Sequence, residues 1–123
     1  RFQAMTDYQR NVFMPALREE ATQAGAKLRR LLPRRLRRGL VNDGRWLQPD
    51  SRAQLSEWVA QRPRIRTLVE YRARLAALLE ARGHDAAERL RHLQAWCHEA
   101  EESGIAALQA YAARLKGYTL VGA

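Results

Sequence analysis

At 123 residues the chain is sized for one domain with a modest core, about two-thirds of the unfolded surface being burial-competent at this length. No run approaches the roughly 18 apolar residues of a membrane span and no charged-then-apolar leader opens it, so the segment is expected to be soluble and without an export signal. A single cysteine, Cys97, excludes an internal disulfide framework and points to a reducing setting, while the net charge of +9 points to an anionic partner.

The spacing of Phe2, Met5, Val12/Phe13, Ala16/Leu17 and Ala21 or Ala24 predicts a first helix over 2–24. Pro15 inside it removes a donor and crowds the preceding turn, which predicts a kink or a restart near Phe13-Met14. Gly25 is the expected joint. Residues 27 to 38 then carry seven of the 22 basic residues and no acid: Lys27, Arg29, Arg30, Arg34, Arg35, Arg37 and Arg38. Leu28, Leu31/Leu32, Leu36 and Leu40 form a stripe between them. Three readings are open: a solvated helical face whose leucines pack on the core, a face lying on anionic lipid with a leucine edge, or phosphate contact with nucleic acid, which has no use for the leucines.

Residues 41–50 read as a connector, with an Asn42-Asp43-Gly44 turn and Trp46 and Leu47 as anchors. Ser51 with Gln54 has the form of a capping box, predicting a helix from about Arg52 to Gln61 with Leu55 and Trp58/Val59 inward. Pro63 suits the first turn of a helix running to about Arg82, with Ile65, Leu68/Val69, Leu75/Ala76 and Leu78/Leu79 inward and Gly83 at its end. Asp85 with Glu88 caps the next helix, 85–102, whose apolar face is Leu90, Leu93, Trp96/Cys97 and Ala100. Ser103-Gly104 breaks it, and Ile105, Leu108, Tyr111/Ala112 and Leu115 line a last helix closed by Gly117. Tyr118 to Val121 is β-prone but alone. The expected fold is all-α, with five or six helices and an antiparallel three-helix unit at the C-terminus. A kinked helix and basic amphipathic segment (1–40) should join a compact bundle (41–123) in one domain.

Catalytic chemistry is nearly absent. His92 and His98 are six residues apart, about 240° modulo a turn, and so do not share a helical face; His84 falls in a loop. His98 with Glu101 or Glu102 has ligand-like spacing, but an exposed polar pair is the commoner meaning. No phosphate loop, nucleophile triad or zinc spacing occurs. No catalytic, cofactor-binding or metal residue is therefore assigned, and the isolated chain is expected to bind neither iron nor zinc and to be inactive.

Taken together, Arg1-Phe2-Gln3, the run from Tyr8 to Glu20 containing Pro15, the Pro63 to Leu79 helix containing Tyr71, Trp96-Cys-His-Glu-Ala-Glu-Glu-Ser-Gly-Ile105 and Tyr111-Ala-Ala-Arg-Leu-Lys-Gly-Tyr-Thr-Leu120 resemble the C-terminal region of bacterial membrane fatty acid desaturases. The resemblance covers almost the whole chain. It implies a parent enzyme that inserts a double bond into acyl chains with a di-iron centre held by histidine boxes, oxygen and an electron-transfer partner. None of those boxes occurs in these residues, so the chain would be a non-catalytic cytoplasmic appendage at the inner face of the membrane, touching anionic lipid and the rest of the desaturase. The pattern from Leu55 to Leu115 is also similar to the helical C-terminal part of DDE-type insertion-sequence transposases, which would make nucleic acid the partner. A free-standing helical interaction module is a third possibility.

Overall fold

The computed structural model describes residues 3–42, 46–80 and 85–119. Among them all regular structure is helical, as expected: α1 (Ala4–Tyr8), a π-helical turn (Gln9–Phe13), α2 (Met14–Ala24), α3 (Leu28–Leu31), α4 (Arg34–Val41), α5 (Pro49–Ala60), α6 (Pro63–Glu80), α7 (Ala86–Glu101) and α8 (Ala106–Thr119). Expectations that fall on Phe2, Asp43, Gly44, Arg82, Gly83, His84, Leu120 and Val121 lie outside the described residues.

Pro15 perturbs the first helix without breaking it. Lacking an N–H, it leaves the Asn11 carbonyl without its usual donor, and the chain responds by widening the turn just before it. Met14 N–H reaches back to Gln9 O, five residues away, and the backbone through Phe13 and Met14 stays right-handed helical. The kink expected there is thus a π-bulge. At the far end Gly25 takes φ 65°, with Gly25 N–H on Thr22 O and Ala26 N–H on Ala21 O, the paired bonds of a Schellman ending that only glycine enters without strain.

Four sequence expectations are corrected. The basic run is not one helical face but two short helices, α3 and α4, because Pro33 cannot donate and pushes Leu32 into an extended conformation. α5 begins at Pro49, three residues before Arg52: proline's fixed φ makes it the first helical residue, and Ser51 lies inside the first turn rather than capping it. α8 continues through Gly117 to Thr119, since a glycine with φ in the helical range costs only about 1 kcal/mol and need not stop a helix. Trp46 and Leu79 are not inward anchors; they are 52% and 38% exposed. The Asp85 cap forms as read, with Glu88 N–H donating to Asp85 Oδ1 at 2.7 Å.

The core draws on both halves of the chain. Tyr8, Val12, Phe13 and Leu17 from the first helix meet Leu32 and Leu40, then Ile65, Leu68 and Leu75 of α6, Leu93 and Trp96 of α7, and Leu108, Tyr111 and Leu115 of α8. α7 packs on α6 and α8, and the first helix packs on α6 and α8. At its centre Tyr8 stands edge-on to Phe13 (5.4 Å) and to Tyr111 (5.1 Å), and Trp96 edge-on to Tyr71 (5.9 Å) and Tyr111 (6.0 Å), the arrangement ring quadrupoles favour. Each polar tip finds an oxygen. Tyr8 hydroxyl donates to Leu68 O and Tyr111 hydroxyl to Ala4 O, both at 2.6 Å, and Trp96 Nε1 donates to Tyr71 O at 3.0 Å.

These phenols make the fold alkali-sensitive. Burial pushes both hydroxyls well above the ordinary phenol value of 10.0, with Arg72 pulling Tyr8 partly back and Asp7 pushing Tyr111 further up. Burial likewise pushes the Cys97 thiol up to about 11. A group that titrates higher when folded gives its full stability below its unfolded pKa and loses it as pH rises past that value. Stability should therefore fall from about pH 9 for the thiol and steepen above about pH 10, where each phenol held neutral costs roughly 1.4 kcal/mol per pH unit. Urea midpoints measured between pH 8 and 11 would show this. Tyr8→Phe with Tyr111→Phe should flatten the profile, and an unchanged slope would refute the assignment.

Candidate polyanion-binding surface

The basic segment is held by its leucines. Leu32 is fully buried and Leu40 nearly so, while Leu28 and Leu36 pack against the core from its edge. Leu31 is half-buried, and its carbonyl accepts Trp58 Nε1–H at 3.0 Å, pinning α3 to α5. Trp58 is in turn covered by the Arg62 guanidinium, 4.1 Å from the ring centroid. α4 is fixed at its other end by α6: Arg72 Nη1 donates to Leu40 O at 2.8 Å and Val41 O at 3.0 Å, carbonyls that have no donor within the helix. Gly39 faces inward against Leu47, so closely that an added Cβ would stand 2.4 Å from Leu47 Cδ1.

With the apolar side thus turned in, the charges are turned out. Lys27, Arg29, Arg30, Arg34, Arg35 and Arg38 are exposed and Arg37 is half-buried. None of the seven forms an ion pair with a described residue. Elsewhere several charges are paired. Arg64 pairs with Glu19 at 2.8 Å, which holds the Glu19 carboxyl below its ordinary range, chiefly through the hydrogen bond. Arg114 lies 3.8 Å from Asp7. At the acidic end of α7, Arg74 pairs with Glu99 and Lys116 with Glu101, and His98 Nε2 lies 3.1 Å from Glu102 with both side chains largely exposed. Positive charge therefore concentrates on α3–α4, where local acids are absent, while the other 15 basic residues of the chain are set against all 13 acids. The charge run was legible in the sequence; its isolation from the acids of the other helices was not.

Little else in the described residues invites chemistry. His98 is 71% exposed in its pair with Glu102, and no group of three or more His, Cys, Asp or Glu among them is placed to hold a metal ion. A di-iron centre of the histidine-box kind needs donors this chain does not have, its histidines being His84, His92 and His98 alone. A cleft beside the π-helical turn is lined by Met5, Val69, Ala76 and Arg72, whose guanidinium is already engaged with α4. No described helix is long and apolar enough to cross a membrane. No family model, curated protein or solved structure matches the chain.

Proposed function

We propose that this chain is a non-catalytic domain of a fatty acid desaturase, lying on the cytoplasmic face of the membrane and held to anionic lipid by the basic surface of α3–α4. The observation that carries the reading is the set of six exposed, acid-free cations on a segment whose leucines are committed to the core. The resemblance of the Trp96 to Ile105 and Tyr111 to Leu120 stretches supports the parent enzyme, whose iron and electron-transfer partner would be served by other parts of the protein. At about 1 kcal/mol per basic residue near an anionic surface, six give an upper limit of roughly 6 kcal/mol before salt screening, enough to hold a tethered domain.

The inward leucines change how the contact works. Leu32 and Leu40 are buried and Leu28 and Leu36 pack on the core while partly exposed, which leaves the segment much charge and little apolar area to offer a bilayer. The same fact keeps a second reading alive, because a mainly cationic face suits the phosphates of DNA equally well, as in the transposase alternative. Vesicle co-sedimentation separates them. Anionic phosphatidylglycerol vesicles should bind the chain, neutral phosphatidylcholine vesicles should not, and Arg34→Gln with Arg35→Gln and Arg38→Gln should weaken binding at least about tenfold, loss of roughly 1 kcal/mol per charge being expected. Binding to neutral vesicles, or indifference to the triple substitution, would sink the proposal. Duplex DNA that displaces the vesicles at equal charge concentration across the salt range would transfer it to nucleic acid.

A further inference from the structure

The surface just described offers much charge and little apolar area, and the structure places an exposed indole beside it. Trp46 exposes 52% of its surface, the most of any large apolar side chain among the described residues, Leu79 following at 38%. The indole is not stranded on a distant loop. Leu47, the next residue, is 97% covered because its side chain packs onto Gly39 of α4. Gly39 lies one helical turn after Arg35 and next to the exposed Arg38 in α4. The chain at Trp46 therefore runs alongside the cationic helix, tied to it one residue away.

A tight contact at glycine explains the placement. Only a residue without Cβ lets Leu47 seat so close to α4, and Leu47 in that seat holds the backbone of its neighbour against the helix. Trp58 and Trp96 meanwhile spend their indole N–H groups on Leu31 O and Tyr71 O. Of the three tryptophans, Trp46 alone is more than half exposed.

We infer that Trp46 is the interfacial anchor of the α3–α4 surface, entering the headgroup region of an anionic bilayer while the arginines of α3–α4 neutralise lipid phosphates; this rests on the membrane reading above. Tryptophan is suited to that depth because its ring is apolar and its N–H can stay in the wet headgroup layer. The contact would then have two parts, a salt-sensitive one from the arginines and a salt-resistant one from the indole.

The test uses the chain with phosphatidylglycerol vesicles, some carrying acyl chains brominated near the headgroup. Tryptophan emission should shift to the blue and be quenched by the brominated lipid, and both changes should vanish in Trp46→Phe, which leaves Trp58 and Trp96 as unaltered background. Trp46→Ala should lower affinity on the order of tenfold and abolish what binding survives at high salt, with an unchanged thermal melt because the side chain supports no core contact. Emission that does not move, with Trp46→Ala binding like the parent while the arginine variants lose affinity, would overturn the anchor and leave the electrostatic surface standing. Absence of any vesicle binding would overturn both.

Discussion

Trp96→Ala should cost about 3 to 5 kcal/mol, the range for deleting a large buried aromatic, and lower the melting temperature on the order of 10 to 20 °C for a domain of this size. Trp96 is wholly buried, touches rings from two other helices and donates its indole N–H to Tyr71 O. Truncation would empty the space between Tyr71 and Tyr111, and both are anchored by their hydroxyls, Tyr71 to Glu99 O and Tyr111 to Ala4 O, so they are poorly free to collapse into it. The upper part of the range is expected for that reason. Trp96→Phe separates the contributions: most of the apolar volume returns, the carbonyl loses its indole partner, and the loss should fall to about 1 to 2 kcal/mol. Chemical denaturation reads both. A loss below about 1 kcal/mol for Trp96→Ala would mean that the faces of α6, α7 and α8 are assigned wrongly.

That the helix faces could be read at all reflects how apolar periodicity works. Leu93, Trp96, Cys97, Ala100, Ile105, Leu108, Tyr111, Ala112 and Leu115 recur at helical spacing and are all buried, because a helix of ordinary length has only one stripe wide enough to bury. Stops and starts with one physical solution were equally legible: the Asp85 cap, the left-handed glycines at 25 and 104 with φ 65° and 77°, and the proline opening α6. Misreadings fell where two solutions compete. Pro49 and Ser51 both signal a helix start, and the proline, three residues before Arg52, wins because its φ is already helical. Gly117 resembles a stop, but nothing after it requires a left-handed turn. Tyr8, absent from the stripe read for the first helix, is fully buried, because three residues after Met5 and four before Val12 it lies on that same face.

The candidate surface was legible only in half. Seven cations in twelve positions are visible in any reading of residues 27 to 38, but a leucine stripe beneath them looks the same whether it faces a core or a bilayer. Deciding that needs the partners: Leu32 against the core, the Leu31 carbonyl on Trp58, and Arg72 on the end of α4, contacts 27 to 32 residues apart in sequence. Trp46 was misread for a related reason. Of the two adjacent apolar residues in this connector, the glycine at 39 makes room for Leu47, which is buried, while Trp46 is left exposed.

Arg72→Met should loosen the basic segment from the rest of the molecule. The last carbonyls of α4 carry the negative end of its dipole and have no donor in their own helix, and a guanidinium from α6 supplies one to both Leu40 O and Val41 O. The same group lies 4.9 Å from the centroid of the Phe13 ring, so a single side chain joins α4, α6 and the first helix. Methionine keeps the aliphatic stem and removes the donors. Hydrogen bonds to a charged group contribute about 1.5 to 3 kcal/mol and a partly desolvated cation over a ring up to about 2, and since the two share one guanidinium the expected cost is about 2 to 4 kcal/mol. Its distribution is the sharper signature. Hydrogen exchange should accelerate at the amides of α4 and at Asn42 N–H on Arg38 O well before it does at α7 and α8, because the Arg72 hydrogen bonds and ring contact described above go to α4 and the first helix. Arg72→Lys should recover little, because one ammonium on a flexible stem does not reproduce the planar donor pair or the ring contact. Exchange that speeds up uniformly, or a loss under about 1 kcal/mol, would show that Leu32 and Leu40 alone hold the segment down.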